Sequence, residues 1–492
     1  MNRLMLLTAI TTVIASVGVR TDAAAPANTG ALPPLTFDNG RGAFEIIERL
    51  RFEDRSDNFD FDSAAHSPTD DSWFVQRLRL GATWKPDSGL IWQLQLQDAR
   101  EWGAERPNVP FILGAEGDDA LDVRIASVTW GDPKKSPAVV ALGRQVLALG
   151  EERLVGPGEW NNFARTFDAV KVVWNLTPDA TTTATAFVSS VVHVEGTTSG
   201  DGWKFDRSSS DDIFAGVNFT HKLDQTRTLE GYLLWRDKKD NTPLYTAPTA
   251  AIPVPARTAA AYDIGQKVGT LGVRYVMAPA PAKDGGFDGE VEAAWQFGDV
   301  DRQTTTATGP YGGSKAQLDQ SAWAVHTLVG YTPADTTLKW RFDMEYNLAS
   351  GDTDRTDGKN GSFMSMFPSG HKFYGFMDLI AWKNLRELAG TVRFVPAPKT
   401  SVRLDYHRFA LYTTQDAWYR KNGIATVRPL NAAAQGASNR AGDEFDLTFT
   451  WNPRPWINLD AGWSRFFSGA YLRGTGASSD ADFFYVQPAV KF

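Results

Sequence analysis

The sequence contains no cysteine, only six histidines and no run of 18 apolar residues downstream of its N-terminal segment. The absence of cysteine excludes a disulfide framework, a thiolate zinc site and a cysteine nucleophile. The histidines are scattered, and neither GxSxG nor HExxH occurs, so no enzyme class is indicated. Because 58 acidic residues outnumber 50 basic ones, for a net charge of −8, the composition gives no reason to expect a nucleic-acid partner.

The N-terminus combines a positive charge with a short apolar stretch. Arg3 precedes the apolar residues 4–19, and the small residues AAAPA follow at 23–27. This order is typical of a secretory signal peptide, which we place at residues 1–27. The alternative is a single membrane-anchoring helix, although the stretch is shorter than the roughly 20 residues that a span requires. Since no later segment is apolar enough to cross as a helix, any membrane insertion of the mature chain must use strands.

Most of the chain alternates between apolar and polar residues. In TLKWRFDMEYNLASGD, residues 337–352, one parity is apolar and the other is almost wholly charged. A period of two is the signature of a β-strand. About eighteen such segments occur, centred near residues 48, 78, 94, 125, 142, 171, 187, 216, 232, 272, 293, 326, 343, 391, 405, 448, 461 and 487.

The connections between these segments alternate in length. In the short turns an aromatic or apolar residue leads into proline, as in WKPDSG from residue 84 and WNPRPW from residue 451. Nine long polar loops alternate with eight short turns. Outer-membrane barrels have this asymmetry, with short periplasmic turns and long extracellular loops. The pattern therefore predicts an all-β fold, a transmembrane antiparallel up-and-down barrel of about 18 strands at residues 42–492, preceded by a periplasmic segment at 28–41.

A water-soluble β-sandwich could bury the same apolar parity, so periodicity alone does not separate the two folds. The signal peptide, the loop asymmetry and the aromatic C-terminal strand FFYVQPAVKF favour the barrel. Aromatic residues at strand ends would form its interfacial girdles: Trp84, Trp130, Trp174, Trp235, Tyr331, Trp451 and Trp456. Glu48 and Gln76 fall on the apolar parity, which predicts a bulge or shifted register near Glu48. The segment 181–195 alternates poorly and predicts a second irregularity.

The polar parity would line the lumen and so determine what passes. Its basic members are Arg49, Arg51, Arg77, Arg79, Lys171, Arg274, Lys339, Arg341, Arg393 and Arg403. Its acidic members are Glu45, Glu53, Glu290, Glu292, Asp343, Glu345, Asp405, Glu444 and Asp446. Rings of basic side chains pass anions, and the planar guanidinium group suits carboxylates, so the basic set favours an anionic or polyhydroxylated solute. The alternative is that these charges pair across strands and only solvate the wall.

Three segments resemble the alginate-export family of outer-membrane β-barrels. They are GRQ to FDAV at 143–170, SGD to FPSGHKFYGFMDL at 350–379, and LDYHRF at 404–409, and the likeness extends over residues 42–492. The resemblance implies an eighteen-stranded porin-like channel with a basic constriction that passes an anionic uronate polysaccharide. The charges that it implies as constriction candidates are Arg144, Arg153, Arg165 and Lys171.

The predicted function is a channel without catalysis or cofactor that passes an alginate-like polymer across the outer membrane of a Gram-negative bacterium. The alternative is a general or uptake porin for small anionic or sugar solutes. A barrel hydrolase and a structural or adhesive barrel are the other classes considered. Expected partners are outer-membrane lipid or lipopolysaccharide, the solute and the barrel-assembly machinery, and no nucleic acid.

One acidic cluster resembles a metal loop. Asp352, Asp354 and Asp357 lie within GDTDRTDG, but their spacing is off by one from the DxDxDG register of calcium loops. An ordinary acidic turn is the alternative, and no other metal site is predicted.

Overall fold

The structure is a computed structural model that describes residues 34–65, 70–105, 119–132, 136–194, 204–239, 265–279, 284–303, 315–334, 336–424, 426–428, 430, 433 and 436–492. Within these residues lie eighteen long antiparallel strands of one sheet. In chain order they are β1 (Gly42–Ser56), β2 (Asp71–Trp84), β3 (Leu90–Trp102), β4 (Asp119–Trp130), β5 (Ala138–Gln145), β6 (Phe167–Asn175), β7 (Thr182–His193), β8 (Arg207–Lys222), β9 (Arg227–Lys238), β10 (Gln266–Met277), β11 (Gly286–Gln303), β12 (Lys315–Thr332), β13 (Arg341–Ala349), β14 (Leu385–Phe394), β15 (Thr400–Leu411), β16 (Arg440–Arg454), β17 (Ile457–Ser468) and β18 (Ala481–Lys491).

The sheet closes on itself because β1 pairs with β2 on one side and with β18 on the other. All eighteen predicted strand centres fall inside an observed strand, and the predicted fold class is confirmed. The predicted signal peptide at 1–27 lies outside the described residues. Of the predicted periplasmic segment, the described part adds a two-residue strand, Thr36–Phe37, that pairs with the start of β1.

The alternation of short turns and long loops is also observed. The turns on one rim span between two residues, 455–456, and eight residues, 278–285 and 333–340, while nine longer connections lie at the other rim. The long connections include the short helix Ala470–Thr475 and a 3-10 turn at Gly370–Lys372. A second 3-10 turn, Asp38–Gly40, precedes β1. No described helix is long and apolar enough to span a membrane.

Side chains are placed inside out, with the apolar parity outward. On β13, Phe342, Met344 and Tyr346 are 42%, 58% and 42% exposed, whereas Asn347 on the other parity is fully buried. The predicted girdle residues on strands are exposed as well: Trp84, Trp130, Trp174, Trp235, Tyr331 and Trp451. Trp456 lies in the β16–β17 turn and stacks on Phe492. The outer wall is therefore a continuous apolar surface of the kind that faces lipid.

The predicted bulge near Glu48 is wrong. β1 keeps one register with β2 along its whole length, and Glu48 lies opposite Leu78 in the outward parity. The two polar residues on this apolar face satisfy each other, because Gln76 Nε2 donates a hydrogen bond of 2.5 Å to Glu48 Oε1. The irregularity expected in 181–195 is present, as a register shift between Ser190 and Val192.

Replacing Gln76 with leucine is expected to destabilise the barrel by about 1–3 kcal/mol, because the outward-facing carboxyl of Glu48 loses its donor. The double replacement Glu48→Leu/Gln76→Leu should be neutral or stabilising, since both polar groups then leave the apolar face. Urea unfolding of the folded barrel in lipid vesicles measures both. A single variant as stable as the wild type would show that this pair carries no stability.

The extracellular half of the barrel is filled by its long loops. Residues from five of these loops are at most 1% exposed and belong to one apolar cluster: Phe61, Val155, Phe363, Trp382, Trp418 and Tyr471. Burying each such side chain contributes about 1.5–3 kcal/mol. These five loops therefore fold inward and pack as a core inside the sheet, where they meet the polar inner faces of the strands.

Candidate functional site

Five arginines of β1, β2 and β4 point inward and surround the tip of the loop at residues 146–166. We call them the arginine cluster: Arg49, Arg51, Arg77, Arg79 and Arg124. Each is at most 8% exposed. Inward parity places the first four on one face of the wall. Arg49 lies directly opposite Arg77 in the β1–β2 register, and Arg51 and Arg79 lie two residues from this pair toward opposite rims.

Backbone carbonyls of the 146–166 loop accept hydrogen bonds from this cluster. Arg49 Nη1 and Arg77 Nη1 donate to the carbonyl of Glu159 at 2.7 and 3.1 Å. Arg51 Nη1 donates to the carbonyl of Trp160 at 2.7 Å, and its guanidinium lies 3.8 Å above the Trp160 ring. These contacts hold the loop against the arginine-bearing wall.

Three guanidinium groups of the cluster share one carboxylate. Arg77, Arg79 and Arg124 lie 3.2, 2.9 and 2.6 Å from the carboxylate oxygens of Glu159. Burial raises the pKa of Glu159, but the three arginines outweigh burial and hold its pKa at about 2. The Glu159 side chain nevertheless remains 43% exposed. A carboxylate is thus bound by a basic wall while still in contact with water.

Sequence reasoning missed Arg124 because a bulge changes the parity of β4. In the β3–β4 register Gln95 lies opposite Ile125 and Leu96 lies opposite Val123, so Arg124 is the extra residue. A bulge re-aims the side chains beyond it, and Arg124 turns inward although the alternation read from Trp130 places it outward. The sequence signal for Glu159 was also slight: it follows the GPG of the loop, and only the fold shows what it faces.

The wall opposite the arginine cluster, formed by β11 to β13, carries Glu290, Glu292 and Glu345 and receives Arg153 from the same loop. We call it the acidic wall. The Arg153 guanidinium donates to Glu345 at 2.9 Å, lies 3.2 Å from His326 Nε2 and rests 4.3 Å from the Phe373 ring. Only 2% of the residue is exposed. Burial lowers the pKa of Arg153, but the Glu345 carboxylate and the other partners outweigh burial and raise it above its usual value. Arg153 is therefore an anchor of the loop in this wall.

The loop at 350–384 completes the inner assembly. It joins the 146–166 loop through backbone hydrogen bonds of 2.8 Å from Gly156 N to Phe367 O and from Phe367 N to Leu154 O. Trp160 stacks on His371 with ring centroids 3.7 Å apart. The two loops therefore form one unit between the arginine cluster and the acidic wall.

Glu444 of β16 and Lys421 of the 412–439 loop also hold the 350–384 loop. Met377 N donates to Glu444 Oε1 at 2.9 Å, and Asp378 lies 2.8 Å from Lys421 Nζ and accepts from His371 at 2.8 Å. Burial raises the pKa of Asp378, but Lys421 and His371 outweigh burial and hold it well below its usual range. The carboxylate is therefore ionised near neutral pH and held by its two partners.

The remaining predicted basic residues lie apart from the arginine cluster. Several pair with acids of their own or neighbouring strands: Arg274 with Glu290 at 2.5 Å, Arg341 with Asp343 at 2.7 Å, Arg393 with Asp343 at 3.7 Å and Arg403 with Asp405 at 2.6 Å. For these residues the alternative of cross-strand pairing describes the observed contacts.

The four candidates implied by the resemblance do not converge on one point. Arg165 donates to the carbonyl of Gly156 at 2.8 Å, and burial together with Arg236 lowers the pKa of Arg165 to about 10. Lys171 lies on the inward parity of β6, opposite Ala141 and Phe187. Arg153 anchors the loop, as described above.

Arg144 and Lys339 depart from the predicted lining. Arg144 lies at the extracellular end of β5, on the parity of the 52% exposed Leu142, and pairs with Asp168 at 2.9 Å. Lys339 precedes β13, in the turn at 333–340, with a φ of 49°. The β13 ladder begins only at Arg341, so the alternation at 337–340 in the sequence is not strand. Both residues belong to the rims.

The aspartates proposed as a calcium loop act separately. Asp354 accepts from Thr356 N at 2.9 Å, and Asp357 accepts from Lys359 N at 2.9 Å, each closing a local turn. In the described residues the acidic and histidine side chains that converge within 4.8 Å in groups of three are elsewhere, at Glu151, Glu290 and His326 and at Asp119, Asp122 and Asp206. The alternative, an ordinary acidic turn, fits these contacts.

A closed barrel with an apolar outer wall, inward-folded loops and a charged lumen defines an outer-membrane channel of the porin class. Residues 43–486 match the family model described as "Alginate export", and the chain belongs to that family. The family and the fold are those of channels rather than enzymes, and they place the protein in the outer membrane.

Solved porins share the fold at low sequence identity. Pseudomonas aeruginosa OpdK superposes with a TM-score of 0.56 at 10% identity, covering 92% of this chain and 99% of its own. Acinetobacter baumannii OccAB1 has a TM-score of 0.54 at 10% identity over 95% and 99% of the two chains. For Pseudomonas aeruginosa OccK8 (OprE) the values are 0.53 and 12% over 92% and 98%. No curated protein sequence matches the chain.

Proposed function

We propose that the channel passes an anionic polysaccharide of the alginate-like uronate type across the outer membrane of a Gram-negative bacterium. The observation that carries the proposal is the binding of the Glu159 carboxylate by Arg77, Arg79 and Arg124 while that side chain stays 43% exposed. Three positive charges meet one negative charge there, so the wall keeps a surplus for further anions. A uronate carboxylate has the same chemistry as the Glu159 side chain and would exchange with it along the wall.

Membership of the alginate export family supports a polymer as the solute. The apolar outer wall suits outer-membrane lipid and lipopolysaccharide as its surroundings, and an aromatic last strand, β18, suits insertion by the barrel-assembly machinery. Nothing in the composition favours nucleic acid as a partner.

A second candidate is an uptake porin for small anionic or sugar solutes. Two observations favour it: the inner assembly of the 146–166 and 350–384 loops narrows the lumen, and the fold is that of OpdK, which has a structure with vanillate at a TM-score of 0.54 and 10% identity. A narrow basic channel would pass a monomeric carboxylate more readily than a long polymer.

Planar-bilayer recording separates the two candidates. For polymer passage we expect anion selectivity and block of the ion current by polyuronate at low concentration, because several carboxylates bind the arginine cluster at once. A neutral polysaccharide of the same length is the control and should leave the current unchanged. Cation preference without block by polyuronate would contradict polymer passage. Block by small aromatic or sugar acids alone would support the uptake porin.

A further inference from the structure

Three aspartates from two different segments converge at the extracellular rim. Asp119 and Asp122 are the first and fourth residues of β4, and Asp206 directly precedes β8. Their carboxylate oxygens lie within 4.8 Å of one another. Asp119 and Asp122 are only 2% and 3% exposed, so this group is not an ordinary solvated acidic patch.

Bulges in β4 bring these side chains together. In the β3–β4 register Gln97 lies opposite Asp122 and Ala99 lies opposite Asp119, so two residues of β4 face one residue of β3 between these pairs. Without this bulge, residues three apart on a strand would point to opposite faces. The irregularity therefore directs both carboxylates to the same side, which is a known use of bulges near binding sites.

Asp206 reaches the group because β5, the strand next to β4, is short and leaves a gap in the barrel wall. β5 ends at Gln145, and the β4–β5 ladder extends only from Trp130 to Ala126, so the upper part of β4 has no partner on that side. The chain before β8 fills the gap: Asp206 N donates to a carboxylate oxygen of Asp122, and Arg144 donates to the Asp206 carbonyl at 3.1 Å. The site thus joins the start of β4 to the segment before β8 across the gap above β5.

One oxygen in the group has no protein partner. Asp119 Oδ1 is buried and accepts no hydrogen bond, although the carboxylate is 98% covered. A buried carboxylate oxygen without a donor costs several kcal/mol unless a cation or a proton satisfies it. Arg144, a base that lies 3.4 Å from Asp122, is already bound to Asp168 through two contacts of 2.9 and 3.2 Å.

The other acidic group of the barrel shows the contrast. Glu151, Glu290 and His326 also converge, but the Arg153 guanidinium lies among them, 3.5 Å from Glu151 and 3.2 Å from His326. A positive charge supplied by the chain already balances that group. In the group of Asp119, Asp122 and Asp206, by contrast, Asp119 Oδ1 is buried without a hydrogen bond.

We infer that Asp119, Asp122 and Asp206 bind a calcium ion at the extracellular rim. Ca²⁺ prefers carboxylate oxygens at 2.3–2.6 Å and accepts irregular geometry, so ligands on opposite sides of the ion lie up to about 5 Å apart. The ion would satisfy Asp119 Oδ1 and tie the chain before β8 to β4. This inference concerns the rim and is independent of the transported solute.

Calcium titration of the full-length folded barrel in detergent, after treatment with a chelator, tests the site. We expect one saturable Ca²⁺ per chain, with a Kd in the range of about 0.1–1 mM that extracellular calcium modules show, and a Tm that rises with Ca²⁺. Asp119→Asn should weaken binding by at least about tenfold and remove the Tm response. Asp354→Asn, in the exposed acidic turn, is the matched control and should bind as the wild type does.

Folding of each variant is checked by its heat-dependent mobility in electrophoresis. If Asp119→Asn does not fold, Asp122→Asn and the wild-type titration decide. The inference is overturned if the wild type shows no saturable Ca²⁺ binding, or if both variants bind as tightly as it does. It is also overturned if Asp119→Asn is more stable than the wild type with Ca²⁺ present, which would mean that a proton satisfies the group.

Discussion

Replacing Arg153 with methionine is expected to lower the free energy of unfolding by about 3–5 kcal/mol and to increase the single-channel current. Removing one partner of a buried ion pair leaves the other charge without compensation. Arg153 is 2% exposed and lies 2.9 Å from Glu345 of the acidic wall and 3.5 Å from Glu151 of its own loop. Because Arg153 is also the link between the 146–166 loop and this wall, its loss should release the loop and widen the lumen.

Denaturant unfolding and planar-bilayer recording measure the two effects. The matched control is Arg227→Met, which removes an ion pair with Asp224 of 2.6 Å whose side chains are 51% and 38% exposed, and it should change the stability far less than Arg153→Met does, because solvent screens exposed ion pairs. The double variant Arg153→Met/Glu345→Gln should regain part of the stability, because the unpaired charge is removed as well. Its single-channel current should stay as high as that of Arg153→Met, because the link between the loop and the wall is still broken. An unchanged current in both Arg153 variants would mean that the loop is held by other contacts.

Replacing Arg77 and Arg79 with glutamine is expected to remove most of the anion selectivity of the channel. The three guanidinium groups around Glu159 carry a local surplus of two positive charges, and the double variant reduces this surplus to zero. At an effective dielectric of ~40 and a distance of ~8 Å, each charge contributes about 1 kcal/mol to the free energy of a passing ion, a factor of about six. Two charges therefore change the anion-to-cation ratio by more than tenfold.

The reversal potential across a salt gradient measures this ratio. Arg227→Gln is the matched control, because it removes a positive charge on the outward parity of Leu229 and should leave the ratio unchanged. Glu159→Gln should act in the opposite direction and raise anion selectivity, since a pKa of about 2 means that Glu159 carries its charge under all recording conditions. If the double variant keeps the wild-type ratio, ions do not pass along the arginine cluster.

The strand map shows how far alternation alone predicts this fold. All eighteen strand centres, the inward parity of Arg49, Arg51, Arg77 and Arg79, and the alternation of short turns with long loops follow from local patterns in the sequence. These features depend on neighbours within a strand or a turn, and such neighbours are adjacent in the sequence. The strand containing Glu48 was expected to be irregular, but it is regular because a partner on the next strand, Gln76, satisfies the carboxyl.

The site shows where sequence reasoning ends. Arg124 enters the arginine cluster through a bulge, and Glu159 meets that cluster only because its loop folds back into the barrel. Arg153, implied by the resemblance as a constriction residue, is instead buried against Glu345, about 190 residues further along the chain, at 2.9 Å. Such contacts join segments far apart in sequence, and no periodicity reports them.

The amino-acid sequence by itself determined that this chain forms a closed barrel with apolar side chains outside and charged side chains inside, because side-chain parity along a strand is a local property. Only the tertiary structure decided which charges face each other. Loop packing and bulges assign Arg77, Arg79 and Arg124 to one carboxylate and give Arg153 to the acidic wall. The electrostatic character of the channel depends on these long-range pairings, since a charge acts through its distance to other charges and not through its place in the chain.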